Sequence, residues 1–75
     1  MLDVILYTPE KVIFEGKAGH IIFPGEQGVF EALPYHRPLI SRLVSGRLII
    51  DEQVFPIRCG IAAINRNKAT IVVEQ

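Results

Sequence analysis

The stretch GRLIIDEQVFPIRCGIAAINRNKATIVVEQ, residues 46–75, decides the fold class. Its apolar runs are short, rich in Val, Ile and Phe, and interrupted often by polar clusters. Residues 48–50 break at Asp51-Glu52-Gln53, which reads as a hairpin turn into residues 54–58. Residues 61–64 break at Asn65-Arg66-Asn67-Lys68, a second turn, before residues 69–73. β-Branched and aromatic runs of this length, divided by turn formers, indicate strands. Period two supports the assignment: Leu48 and Ile50 share one face, while Phe55 and Ile57 point one way and Arg58 the other. Pro56 has no N–H for a ladder, so its strand is expected at an edge or with a bulge. Cys59, set in Ile57-Arg58-Cys59-Gly60-Ile61, reads as a small core residue rather than a nucleophile.

Working outward, the same texture reaches the other end of the chain. Residues 2–7 form an apolar run stopped by Thr8-Pro9, residues 12–15 stop at Gly16, and residues 20–23 stop at Pro24-Gly25. The best amphipathic helix candidate is residues 38–44, with Leu39, Leu43 and Ile40 toward one side, and it is short for a helix. Seven or more strands with almost no helix imply an all-β fold, a small β-sandwich or flattened barrel of two packed, mainly antiparallel sheets, because each sheet must cover the other's apolar face. No repeat, linker or low-complexity tract divides residues 1–75, which read as one domain.

The chain has 75 residues and 49% hydrophobic content, enough for a core and too much for disorder. A domain this small buries only about 60% of its unfolded surface, which leaves little material for a deep cleft. Eight Lys and Arg balance eight Asp and Glu. That balance, without any run of like charge, lacks the electrostatic footprint of a nucleic-acid binder or of a polybasic membrane anchor. A single cysteine excludes an internal disulfide and fits a reducing compartment. The opening MLDVILYTPEK carries Asp3 and no basic leader, and its apolar run is too short for a signal peptide or a membrane span. A cytoplasmic or cytoplasm-facing protein is expected.

Catalytic and metal-binding patterns do not assemble. His20 and His36 have no Cys or His partner at ligand spacing, so they read as a strand histidine and a loop histidine. Ser41 and Ser45 lack a nucleophile elbow. Neither Gly16-Lys17 nor Gly25-x-x-Gly28 sits in a phosphate-binding fingerprint. Glu10 with Glu15, and Glu26 with Glu31, read as solvated turn charges rather than acid–base pairs. Binding or structural work remains. One such reading is a free-standing β-barrel binding a small ligand or peptide, which needs a concave pocket with convergent polar groups. An oligonucleotide-binding barrel would want exposed aromatics interleaved with Lys and Arg, and the aromatics here sit beside aliphatic neighbours.

The middle of the chain is the most distinctive part. TPEKVIFEG (residues 8–16) and IIFPGEQGVFEALPYHRPLISRLVSGRLII (residues 21–50) resemble the N-terminal β-sandwich of the epsilon subunit of F-type ATP synthases. Thr8, Pro9, Glu10, Phe14, Gly16, Pro24, Gly25, Gly28, Phe30, Leu33, Pro34, His36, Pro38, Leu39, Gly46, Leu48 and Ile50 fall in step with that family's pattern, and NKATIVVEQ resembles its closing strand. Glu31 and Tyr35 stand where the family usually has Gly, so each must take a conformation that Gly takes easily, or the backbone differs there. Cys59-Gly60-Ile61 stands where Gly-Gly and a large apolar residue are common. Family members typically continue into a C-terminal helical hairpin that restrains ATP hydrolysis. The sequence stops at Gln75, and no inhibition by that route is expected of these residues.

The resemblance implies a non-catalytic subunit of the central stalk, without cofactor or metal, that joins the gamma subunit to the c ring and turns with both. It implies a peripheral position at the cytoplasmic face of the membrane, with no direct membrane insertion and no nucleic-acid partner. It aligns Glu26, Gln27, Gly28, Val29, Phe30 and Glu31 with the loop that meets the c ring. It aligns His36, Arg37, Ser41 and Arg42 with the gamma-facing surface, with Pro38 and Leu39 packing inward. The coupling ion and the direction of the parent enzyme are not implied.

Overall fold

The computed structural model describes residues 1–75 and contains nine strands and no helix. They are β1 (Leu2–Tyr7), β2 (Val12–Ala18), β3 (Ile21–Gly25), β4 (Gly28–Ala32), β5 (Leu39–Leu43), β6 (Gly46–Ile50), β7 (Gln53–Ile57), β8 (Cys59–Asn65) and β9 (Lys68–Glu74). Hydrogen bonding links them as β2-β1-β9-β8-β5-β3-β6-β7, with β4 attached to β3. Every pair is antiparallel except β1 with β9. The mainly antiparallel all-β sandwich or flattened barrel expected from the sequence is therefore present, as one sheet folded over on itself.

Strand β3 makes the fold-over. At one end Ile21 and Ile22 pair with Ile50 and Ile49 of β6, and at the other Gly25 pairs with Leu43 of β5. The two halves then face each other across one core of sixteen buried apolar residues, including Leu2, Leu6, Phe23, Leu48, Ile50, Ile64 and Ile71. The free ends of the sheet approach where Phe14 of β2 meets Phe55 of β7 edge to face, with ring centroids 6.1 Å apart. Pro56 lies in β7, the last strand of the order, where a missing N–H costs no ladder bond.

Local chemistry explains the turns. In the β1–β2 connection the Thr8 hydroxyl accepts from the amides of Glu10 and Lys11, both at 3.2 Å, so the T-P-E run closes on its own side chain. The β8–β9 turn places Arg66 (φ 52) and Asn67 (φ 62) in the left-handed region, as a two-residue hairpin requires. At the β6–β7 turn Asp51 accepts from the amides of Gly19 and His20 and ties that turn to the β2–β3 connection.

The short helix candidate, residues 38–44, is not helical: Leu39–Leu43 is β5. Three expectations are corrected. Residues 28–30 belong to a strand, β4, rather than to a turn. Cys59 is exposed, because the alternation that buries Ala62 and Ile64 turns it, with Ile61, to the outside. His20 precedes β3 in the connection instead of lying in the strand.

Candidate functional site

The β3–β4 hairpin is built around two glycines. A side chain at Gly25 would strike the Phe30 ring at 2.8 Å, so glycine lets Phe30 close over the backbone and stack on Phe23, with centroids 4.8 Å apart. The reversal then passes through Glu26 and Gln27 to Gly28, whose φ of 125 is a conformation other residues rarely adopt. The base of the tip is clipped to β5: the Glu26 amide donates to the Arg42 carbonyl at 3.0 Å, and the Val44 amide donates to the Pro24 carbonyl at 2.9 Å. The Arg42 guanidinium also lies 3.9 Å from the Glu26 carboxylate, an exposed pair.

The residues aligned with two separate partners thereby meet. An open hollow of about 520 Å³ is lined by Gly25, Glu26, Gln27, Gly28, Val29 and Phe30 on one side and by His36, Arg37, Leu39, Ile40, Ser41 and Arg42 on the other. Glu26, Gln27, Gly28 and Val29 are exposed, Val29 at 76%. Glu31 is exposed on β4, opposite Ile22, in ordinary extended backbone. Phe30 is half-buried against the core.

On the other side, His36 is half-buried and its Nδ1 donates to the Arg37 carbonyl at 2.7 Å, which fixes the ring to the backbone. Arg37 is exposed. Ser41 and Arg42, being neighbours on a strand, project to opposite faces. Arg42 is exposed while Ser41 is half-buried, and its hydroxyl donates to the Arg42 carbonyl. Leu39 packs against the core as expected, whereas Pro38 is exposed and does not pack inward. Tyr35, unlike Glu31, does take the left-handed conformation, with φ 66.

Arg42 continues onto a second surface, the outer face of β2-β1-β9-β8-β5. Paired residues form rows across it. One row runs Val12, Tyr7, Val72, Ile61, Arg42. The next runs Glu15, Ile5, Thr70, Ala63, Ile40, and the third Lys17, Asp3, Lys68, Asn65. The face grades from apolar to charged within four residues along the strands. Val12 (53%), Ile61 (54%) and Ile40 (79%) are exposed. In the charged row Lys17 donates to Asp3 at 2.8 Å. That bond, with the Lys17 charge and more weakly that of Lys68, holds the Asp3 carboxyl below its ordinary 3.8. The space between the two halves of the sheet is filled by side chains.

The β-sandwich family described as ATP synthase, Delta/Epsilon chain, beta-sandwich domain matches residues 1–75. The chain belongs to this family. The epsilon chain of the ATP synthase of Chlorobaculum tepidum is 34% identical over 79 residues, covering 99% of this chain and 88% of that one. The epsilon chain from Nitratiruptor sp. is 36% identical over 78 residues, covering 97% of this chain and 60% of that one. A cryo-EM structure of the central stalk and c ring of the Tetrahymena thermophila mitochondrial ATP synthase contains a chain with the same fold, at a TM-score of 0.85 and 20% identity, covering 99% of this chain and 63% of that one. The chain thus spans most of one relative and about three fifths of the others. As a delta/epsilon sandwich it is a subunit of a rotary ATP synthase.

Sequence reasoning missed the outer apolar row. Ile61 and Val72 were legible only as strand residues and Ile40 only as part of the helix candidate, since a strand that is apolar on both faces does not say which face is inside.

Proposed function

We propose that this chain is a non-catalytic rotor subunit that joins the gamma subunit to the c ring, so that torque from ion flow reaches the catalytic head. It sits peripherally at the cytoplasmic face of the membrane. The observation that carries the reading is the uncovered apolar row Val12-Tyr7-Val72-Ile61 on the outside of a sandwich whose inside is already filled. Such a row on a small domain suits a protein partner. Arg42 at its end and Arg37 nearby offer forks for carboxylates on the rim. These residues, with His36, form the gamma-facing surface, and Ser41 supports the Arg42 backbone beneath it. The hairpin tip, with Glu26, Gln27, Gly28 and Val29 leading and Glu31 behind, meets the ring, while Phe30 braces the tip from below. The two proposed contacts lie side by side along the shared hollow, and load passes between them through the Glu26–Arg42 clip.

Calorimetric titration of the folded chain with the gamma subunit from the same source tests this. One-to-one binding is expected, weakened by Arg37→Glu with the fold intact. A folded chain that binds neither gamma nor a gamma–c-ring assembly overturns the reading.

A further inference from the structure

Tyr35 combines three properties that rarely occur together. Its backbone is left-handed, with φ 66. Its side chain is 83% exposed. Its ring joins neither of the aromatic pairs, Phe14–Phe55 and Phe23–Phe30. For a residue with a Cβ the left-handed conformation is disfavoured by its clash with the following carbonyl, and here no core packing offsets it. Such strain persists only where the surroundings enforce it, and it concentrates at functional positions.

The enforcing residue is Asn67, in the β8–β9 turn. Its Oδ1 accepts from the Tyr35 amide at 2.9 Å, and its Nδ2 donates to the Met1 carbonyl at 2.7 Å. Its own carbonyl accepts from the Asp3 amide at 3.0 Å. One side chain therefore ties the β8–β9 turn to the start of β1 and to the turn that presents Tyr35. That turn is closed by the His36 amide donating to the Leu33 carbonyl at 3.1 Å. The outcome is an aromatic ring in water on a locked stem, directly before His36 and Arg37.

We infer that Tyr35 is an anchor for the partner that takes His36 and Arg37, and that Asn67 is the residue that positions it. The inference rests on the rotor reading for the partner's identity. The recess that receives Tyr35 is an apolar pocket on a protein surface, with a polar group at its end for the phenol and carboxylates beside it for Arg37. A rigid aromatic of this kind loses little conformational freedom on binding, which is why Tyr is frequent among the residues that dominate interfaces.

The test separates anchoring from folding. Tyr35→Gly removes the ring and relieves the backbone, while adding freedom to the unfolded chain, so Tm is expected to stay within about 3 °C. Its affinity for the gamma subunit is expected to fall about tenfold. Tyr35→Phe keeps the ring and is expected to stay within about threefold. Asn67→Gly keeps the turn but removes both side-chain bonds; faster hydrogen exchange at the Tyr35 amide and weaker binding are expected together. If wild type binds gamma and Tyr35→Gly binds equally well, the anchor is wrong. If Asn67→Gly frees the Tyr35 amide without weakening binding, the positioning role is wrong. If folded wild type binds neither gamma nor a gamma–c-ring assembly, the rotor reading fails and the anchor falls with it.

Discussion

Strands β8 and β9 carry similar side chains on their two faces, and the faces have different fates. Ala62, Ile64, Ile71 and Val73 point inward and are at most 1% exposed. Ile61, Ala63 and Val72 point outward, and Ile61 is 54% exposed. By composition alone either face serves as the core. What separates them is the rest of the sheet: the inner face meets Leu48, Ile50 and Phe23 from the folded-over half, and nothing in this chain covers the outer one. Apolar residues in one short segment thus have two tasks, holding the fold and offering a surface.

The comparison breaks most sharply under truncation of the inner face. Ile71→Ala removes a fully buried side chain from the middle of the core and is expected to cost about 2–5 kcal/mol. A domain of this size has few kcal/mol to lose, so chemical denaturation should show the variant largely unfolded near room temperature. If it unfolds like wild type, the assignment of inside and outside is wrong.

The matched change outside is Ile61→Ser. Stability is expected to change by no more than about 0.5 kcal/mol, as for surface positions free of special contacts. Affinity for gamma is expected to fall about tenfold if Ile61 belongs to the central part of the interface. Calorimetry and thermal melts on the same sample check both halves, and a loss of stability equal to that of Ile71→Ala would erase the distinction.

The smallest effect belongs to the charged end of the outer face. The Asp3 carboxyl is held below 3.8 by Lys17, so the pair's contribution is complete above pH 3.8 and disappears as pH falls through the lower, folded-state value. Asp3→Asn is expected to flatten that acid loss slightly and to leave neutral-pH affinity for gamma unchanged. Melts from pH 7 down to pH 2 check it: parallel curves for the two proteins would mean the pair carries no stability, and a change in affinity would mean the charged row is part of the interface.

Much of the fold was legible. The β-branched runs, the turn clusters and Pro56 at an edge needed no tertiary information. Strand β5 misled because Leu39 and Leu43 are four apart, a spacing that puts two residues on one side of a helix and equally on one face of a strand. Strand β4 was hidden because Gly28 and Glu31 weaken its apolar signal, and only pairing with β3 makes it a strand. Cys59 was misplaced because its apolar neighbours straddle both faces. For the candidate site, the residue types around Gly25 and His36 were readable, but their convergence was not. It depends on the Glu26–Arg42 clip between strands distant in sequence. Tyr35 showed as an odd residue in a glycine position, and its exposure and its bond to Asn67 come from the folded chain alone.

The one parallel pairing has a kinetic consequence. Strand β9, made last among these residues, lies between β1, made first, and β8, with Asp3 opposite Lys68 and Tyr7 opposite Val72. A ribosome must therefore release nearly all of this stretch before β1 gains its second neighbour. Until then the β1–β2 hairpin has one side unpaired, and the core lacks Ala69, Ile71 and Val73. The loop that β1–β9 pairing closes is almost as long as the chain itself, so the entropy of closing it is spent late and at once. Folding in the millisecond-to-second range typical of all-β topologies is expected.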